Sequence, residues 1–263
     1  MKKETGFLKV DGIRLEYEHL LIEPTNTVPT LVFLHEGLGC INLWRDFPEK
    51  LCKATSLNGF VYSRQGYGKS DPVGLPRPID FMNHEALNVL EPCLDAAKLD
   101  NVILVGHSDG GSISLINAGG APSKRITAVV TIAAHVFNED LTIKSIEQAK
   151  IAYETTDLRK RLKKYHGRNV DCAFWGWNRV WLDPEFRNWN IENYLSNVKL
   201  PVLVLQGSED QYGTRDQVDA IINGLAGPKK AIIIEGAMHS PHLEKQNETV
   251  EAVKTFVDKH TDL

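Results

Sequence analysis

Three short stretches carry residue types that could do acyl-transfer chemistry together. Gly106-His107-Ser108-Asp109-Gly110 has the G-x-S-x-G pattern, directly after the apolar run Val102–Val105 and before a helical stretch. A sharp strand-to-helix turn there would lift the Ser108 hydroxyl above a sheet, and glycine two residues to either side avoids a clash. A helix starting near Asp109 would aim free backbone N–H groups at developing negative charge. A serine hydroxyl is a weak nucleophile, so it needs a base, and the base needs an orienting acid. Two later loops offer them. Ser208-Glu209-Asp210 follows the run Pro201–Leu205, and His239-Ser240-Pro241-His242 follows Ala231–Ile234. Ser240 reads as a helix N-cap with Pro241 first in the helix. That puts His242 in the first turn and leaves His239 in the free loop, so His239 is the expected base. The pair of histidines lacks a third ligand in sequence, and no metal is expected.

These loops need a frame that opens them on one edge. Short apolar runs (Thr30–Leu34, Gly59–Tyr62, Asn101–Val105, Ile126–Ala134, Pro201–Leu205, Ala231–Ile234) alternate with helical stretches. That rhythm predicts a parallel sheet covered on both faces, and ligands then bind beyond the carboxyl ends of its strands. Phe7–Leu20 alternates around Asp11-Gly12 and reads as a hairpin. Residues 79–99 read as a helix that Pro92 bends or divides. From His135 to Val198 the strand rhythm stops and charged helical periodicity takes over. The expected organisation is a core of residues 1–134 and 199–263 with a helical cap at 135–198. Trp175, Trp177, Trp181 and Trp189 all lie in that cap, and Trp175 and Trp177 are expected to wall a substrate pocket.

The 263-residue chain carries a net charge of −4 and shows no evident basic block, so nucleic acid is not an expected partner. There is no apolar leader and no run of about 20 apolar residues, which argues against a membrane and for the cytoplasm. Cys40, Cys52, Cys93 and Cys172 form no CxxC pair and read as reduced thiols. Gly68-Lys69-Ser70 looks like the tail of a phosphate-binding loop. However, Ser63 stands where the first glycine belongs, and Pro72, Pro76 and Pro78 deny the following helix.

The motifs together resemble the α/β-hydrolase fold over nearly the full length. GHSDG matches the nucleophile turn, GSED the acid loop, and MHSPH the histidine loop. HEGLG follows the third strand, and RQGYGKS resembles the family's R-G-x-G-x-S turn with Gln65 inserted. The resemblance implies a doubly covered, mostly parallel sheet with a cap. It implies a Ser108, Asp210, His239 triad, with Asp210 chosen over Glu209 by the family spacing. It also implies an oxyanion hole from the Asp109 N–H and that of Gly37 or, with a one-residue slip, Leu38. Glu36 departs from the family pattern and either braces its loop or touches substrate. The implied activity is hydrolysis of a small or medium ester or thioester through an acyl-enzyme, with no cofactor. Carbon–carbon bond hydrolysis by the same triad and a slow ligand receptor are the alternatives. Halide displacement is not expected, because that reaction needs Asp at the centre of the turn.

Overall fold

A computed structural model describes residues 1–22 and 28–260. Eight strands form one sheet: β1 (Lys2–Val10), β2 (Ile13–Leu21), β3 (Thr30–Leu34), β4 (Asn58–Tyr62), β5 (Val102–His107), β6 (Ile126–Ile132), β7 (Val202–Gly207) and β8 (Lys229–Ile234). Their spatial order is β1-β2-β4-β3-β5-β6-β7-β8. The first three pair antiparallel, β1 with β2 and β2 with β4; every later pair is parallel. The hairpin turns on Asp11 and Gly12, both at positive φ, as a tight two-residue turn requires.

The period-two alternation of the strands builds two cores. Val32, Leu34, Val102, Leu104, Val202 and Val204 face one way; Leu31, Phe33, Ile103, Val105, Leu203 and Leu205 face the other. Each fully buried aliphatic side chain of this kind contributes about 1.5–3 kcal/mol of hydrophobic free energy. The second face is covered by α1 (Phe47–Thr55) and α11 (Gln246–His260), which bring Phe47, Leu51, Val253 and Val257. The first is covered by α2 (Phe81–His84), α3 (Leu90–Ala97), α4 (Asp109–Gly120) and α9 (Arg215–Gly224). Between α2 and α3, Glu85–Val89 form a widened π turn. It includes Asn88, whose carbonyl Pro92 cannot bond four residues on, so the bend expected from Pro92 takes this form.

Between β6 and β7 the chain makes α5 (Asp140–Thr155), α6 (Leu158–His166), α7 (Val170–Trp181) and α8 (Glu192–Leu195). A bridge between Phe137 and Asn190 ties the two ends of this insertion together. Against the expectation of no basic block, α6 carries Arg159, Lys160, Arg161, Lys163 and Lys164. Arg159 and Arg161 are paired with Asp171 and Asp157, leaving three lysines on the exposed face. The expected last helix divides into α10 (Pro241–Glu244) and α11. The Gly66–Ser70 stretch forms turns with no helix after it, unlike a phosphate loop. Among the described residues no helix is long and apolar enough to cross a membrane, and all four cysteines are free.

Candidate active site

Ser108 sits at the junction of β5 and α4 with φ 51° and ψ −118°. A non-glycine residue adopts that conformation only where the surroundings over-determine it. The surroundings here are close-packed backbone. A Cβ on Gly106 would lie 2.3 Å from the Gly110 carbonyl oxygen, and one on Gly110 would lie 2.0 Å from that of Leu34. Both glycines are therefore dictated by the turn. The Ser108 N–H donates to the Ile132 carbonyl at 2.8 Å, anchoring the turn to β6.

The loops after β7 and β8 hold each other through two backbone bonds. The Ser208 N–H donates to Ile234 at 3.0 Å, and the Glu209 N–H donates to Ala237 at 2.9 Å. This brings Asp210 under His239. The His239 ring lies 2.8 and 3.0 Å from the two Asp210 carboxylate oxygens through Nδ1, and 3.0 Å from Ser108 Oγ through Nε2. The Tyr212 N–H also donates to Asp210, at 2.8 Å. Burial works against the Asp210 charge, but His239 and the Tyr212 N–H outweigh it and hold the carboxyl below its ordinary range. Glu209 is exposed. His242 is buried against Trp44 and Phe47 and takes no part in this chain of contacts.

A cavity of about 170 Å³ opens over Ser108. Glu36, Gly37, Leu38, Asp109 and Trp177 line it. Trp175 does not line it. It lies half-buried on the other side of α7, against Tyr153 and Phe174 with the Arg179 guanidinium over its ring. Two positions along a helix turn a side chain by roughly 200°, so Trp175 and Trp177 face opposite ways. Trp181, one turn beyond Trp177, shares the cavity face together with His135, Thr142, Ile146 and Tyr212. The His135 and Tyr212 rings lie 5.8 and 4.7 Å from that of His239. Burial lowers His135 to a pKa of about 3, so it sits in the site as neutral imidazole. A larger cavity of about 600 Å³ lies between the hairpin and α2, but none of Ser108, Asp210 and His239 borders it.

Glu36 faces two ways. Its backbone carbonyl accepts from the Gly39 N–H at 3.1 Å and from Arg64 Nη2 at 3.1 Å. Its carboxylate lies 3.5 Å from His107 Nδ1, while His107 Nε2 donates to the His239 carbonyl at 2.9 Å. Burial opposes the Glu36 charge, but His107 and Arg64 hold its carboxyl below the usual range. Asp109 accepts from Trp181 Nε1 at 3.2 Å through Oδ1, and its Oδ2 has no partner. Burial pushes the Asp109 carboxyl up. As first residue of α4, Asp109 also has a backbone N–H without a partner inside the helix. Among the described residues no group of His, Cys, Asp and Glu is placed to hold a metal ion.

A model of the alpha/beta hydrolase family matches residues 31–253. The chain belongs to the alpha/beta hydrolase family. The human protein named serine hydrolase BPHL is 30% identical over 203 residues, covering 75% of this chain and 68% of that protein. A proline iminopeptidase from Saccharolobus solfataricus is 21% identical, covering 97% of this chain and 93% of its own. The crystal structure of the esterase RhEst1 from Rhodococcus superposes with a TM-score of 0.74 at 19% identity, covering 99% of this chain and 100% of the other.

Proposed function

We propose that the protein is a serine hydrolase that cleaves esters or thioesters of small acyl groups through an acyl-enzyme. The observation that carries this reading is the unbroken chain from Asp210 through His239 to Ser108, at 2.8 and 3.0 Å. In that chain Asp210 holds the Nδ1–H tautomer, which leaves Nε2 free to take the serine proton. Ser108 then attacks the acyl carbon, and His239 returns the proton to the leaving group. Water attacks the acyl-enzyme with His239 again as base. The N–H of Asp109 and that of Gly37 or Leu38 hold the oxyanion, and removing such a donor typically costs about 10²–10³ in kcat. The cavity is small beside the roughly 300–1,000 Å³ of pockets for drug-sized ligands, which favours short acyl groups. The free cysteines support a reducing compartment such as the cytoplasm.

A carboxylate at this cavity favours an acyl group that carries an amine. The Glu36 side chain, 27% exposed, would gain from an ammonium group. The similarity to proline iminopeptidases, enzymes of amine-bearing substrates by their name, points the same way.

The test is hydrolysis of nitrophenyl esters of increasing acyl length, each also in an α-amino form, by the wild type and Ser108→Ala. The expected result is turnover that Ser108→Ala abolishes without loss of fold. Short acyl groups should have the highest kcat/KM, and the amino forms should exceed their deaminated partners. An active Ser108→Ala protein would sink the mechanism. Equal rates with and without the amine would remove the substrate refinement alone.

A further inference from the structure

His166 ends α6, far from Ser108 in sequence, and is buried. Both ring nitrogens are committed, in opposite senses. The Gly68 N–H donates to Nδ1 at 3.0 Å, which makes Nδ1 an acceptor and puts the ring proton on Nε2. Nε2 then donates to the Leu38 carbonyl at 2.9 Å. Burial keeps the ring neutral, as this two-sided arrangement requires, against the pull of the Leu38 carbonyl, Glu36 and Glu16. The Gly66–Ser70 turn behind the ring is itself fixed to the insertion. Asn169 Nδ2 donates to the Ser70 carbonyl at 2.7 Å and the Gly68 carbonyl at 3.2 Å.

The loop that receives this contact is the one expected to bind the oxyanion. Its Glu36 carbonyl is held by Arg64 and by the Gly39 N–H. Its Leu38 carbonyl is held by His166. The peptide that carries the Leu38 N–H is thus bracketed between two fixed peptides. Loss of either anchor would free the peptide between them to carry the Leu38 N–H away from the place where negative charge develops.

We propose that His166 is a positioning residue through which the helical insertion holds the Glu36–Gly39 loop in its oxyanion-binding conformation. The insertion is then part of the catalytic apparatus as well as a wall of the pocket. The proposal rests on the hydrolase reading above.

The test compares His166→Phe, which keeps a ring but neither nitrogen, and His166→Gln, which keeps a donor for the Leu38 carbonyl. Activity on the best nitrophenyl ester is read together with binding of a trifluoromethyl ketone, which forms an oxyanion on Ser108. For His166→Phe, kcat should fall about 10- to 100-fold with KM within about threefold, a misplaced donor costing up to what a missing one does. Ketone affinity should fall by the same factor as kcat/KM. His166→Gln should lie between His166→Phe and the wild type. Full ketone affinity in His166→Phe, or a loss confined to KM, overturns the proposal. If His166→Phe does not fold, His166→Gln decides alone. Parallel losses in kcat and ketone affinity support the proposal, and wild-type values for both overturn it. A wild type that a fluorophosphonate does not label at Ser108 would overturn the hydrolase reading and this one with it. A labelled wild type with indifferent His166 variants overturns only this one.

Discussion

Gly37→Ala tests how the insertion and the Glu36–Gly39 loop fit together. A Cβ at Gly37 would lie 2.1 Å from Trp177 Cδ1 and 2.2 Å from Nε1. Carbon atoms pack at about 3.5–4.0 Å, so ring and loop would have to part by about 1.5 Å. The Gly37 backbone is not in the left-handed region, so alanine brings no conformational penalty of its own. The effect is therefore purely steric. Trp177 is buried and backed by Phe174, which limits its retreat. Gly37 is buried too, between half-buried Glu36 and Leu38, so the loop must take up part of the displacement, and a shift of about 1 Å in a catalytic group can cost 10²-fold. Gly37→Ala should thus lower kcat/KM on a nitrophenyl ester about 100-fold, with an overpacking cost of about 1–3 kcal/mol in stability. Trp177→Leu removes the clashing ring. In that background Gly37→Ala should cost at least tenfold less than it does in the wild type. Wild-type activity in Gly37→Ala, or losses that simply multiply in the double variant, would refute the reasoning.

Asp210→Asn should lower kcat by at least about 10³-fold while leaving the melting temperature within a few degrees. The Tyr212 N–H and His239 Nδ1 share Oδ1, so an amide with its oxygen held there sets its NH₂ about where Oδ2 stood, 3.0 Å from Nδ1, and removes the charge that orients the ring and stabilises its cation. A loss below tenfold would show that Asp210 does not orient the base. Stability should fall as pH drops from about 6.5 toward 4. The unfolded chain protonates His135 near the ordinary value of about 6.5, whereas the folded protein does so only near 3. Between the two the unfolded state holds one more proton, worth about 1.4 kcal/mol per pH unit. His35 and His242, also lowered by burial, add in the same direction. Denaturant melts at several pH values should show this slope, and His135→Phe should reduce it by about one proton. An unchanged slope in that variant would mean that His135 does not titrate as described.

What could be read from the sequence was whatever lies within about ten residues of its own signal. The apolar strand runs, the Asp11-Gly12 turn and the Ser108 turn depend on local backbone sterics, so residue type alone reveals them. The Asp210 and His239 loops were legible because a parallel sheet sends every strand's carboxyl end to one edge. The choice of wall residue failed at Trp175 because a run of tryptophans says nothing of which helix face is inward. Val170, Ala173, Phe174, Trp177, Val180 and Trp181 are buried along α7, and that stripe would have excluded Trp175 had its inner face been known. His135 and Tyr212 join the site from loops after β6 and β7 with no motif to mark them. His166 is further still from any local signal. It lies 98 residues from Gly68 and 128 from Leu38, and its role depends on where α6 docks. The Ser108, Asp210 and His239 constellation and its loops are thus encoded locally on the sheet, whereas the shape of the pocket depends on docking of the insertion. Changes in α5–α7 should accordingly reshape the cavity with Ser108, Asp210 and His239 left in place, so long as the contacts of Trp177 with Gly37 and of His166 with Leu38 are kept.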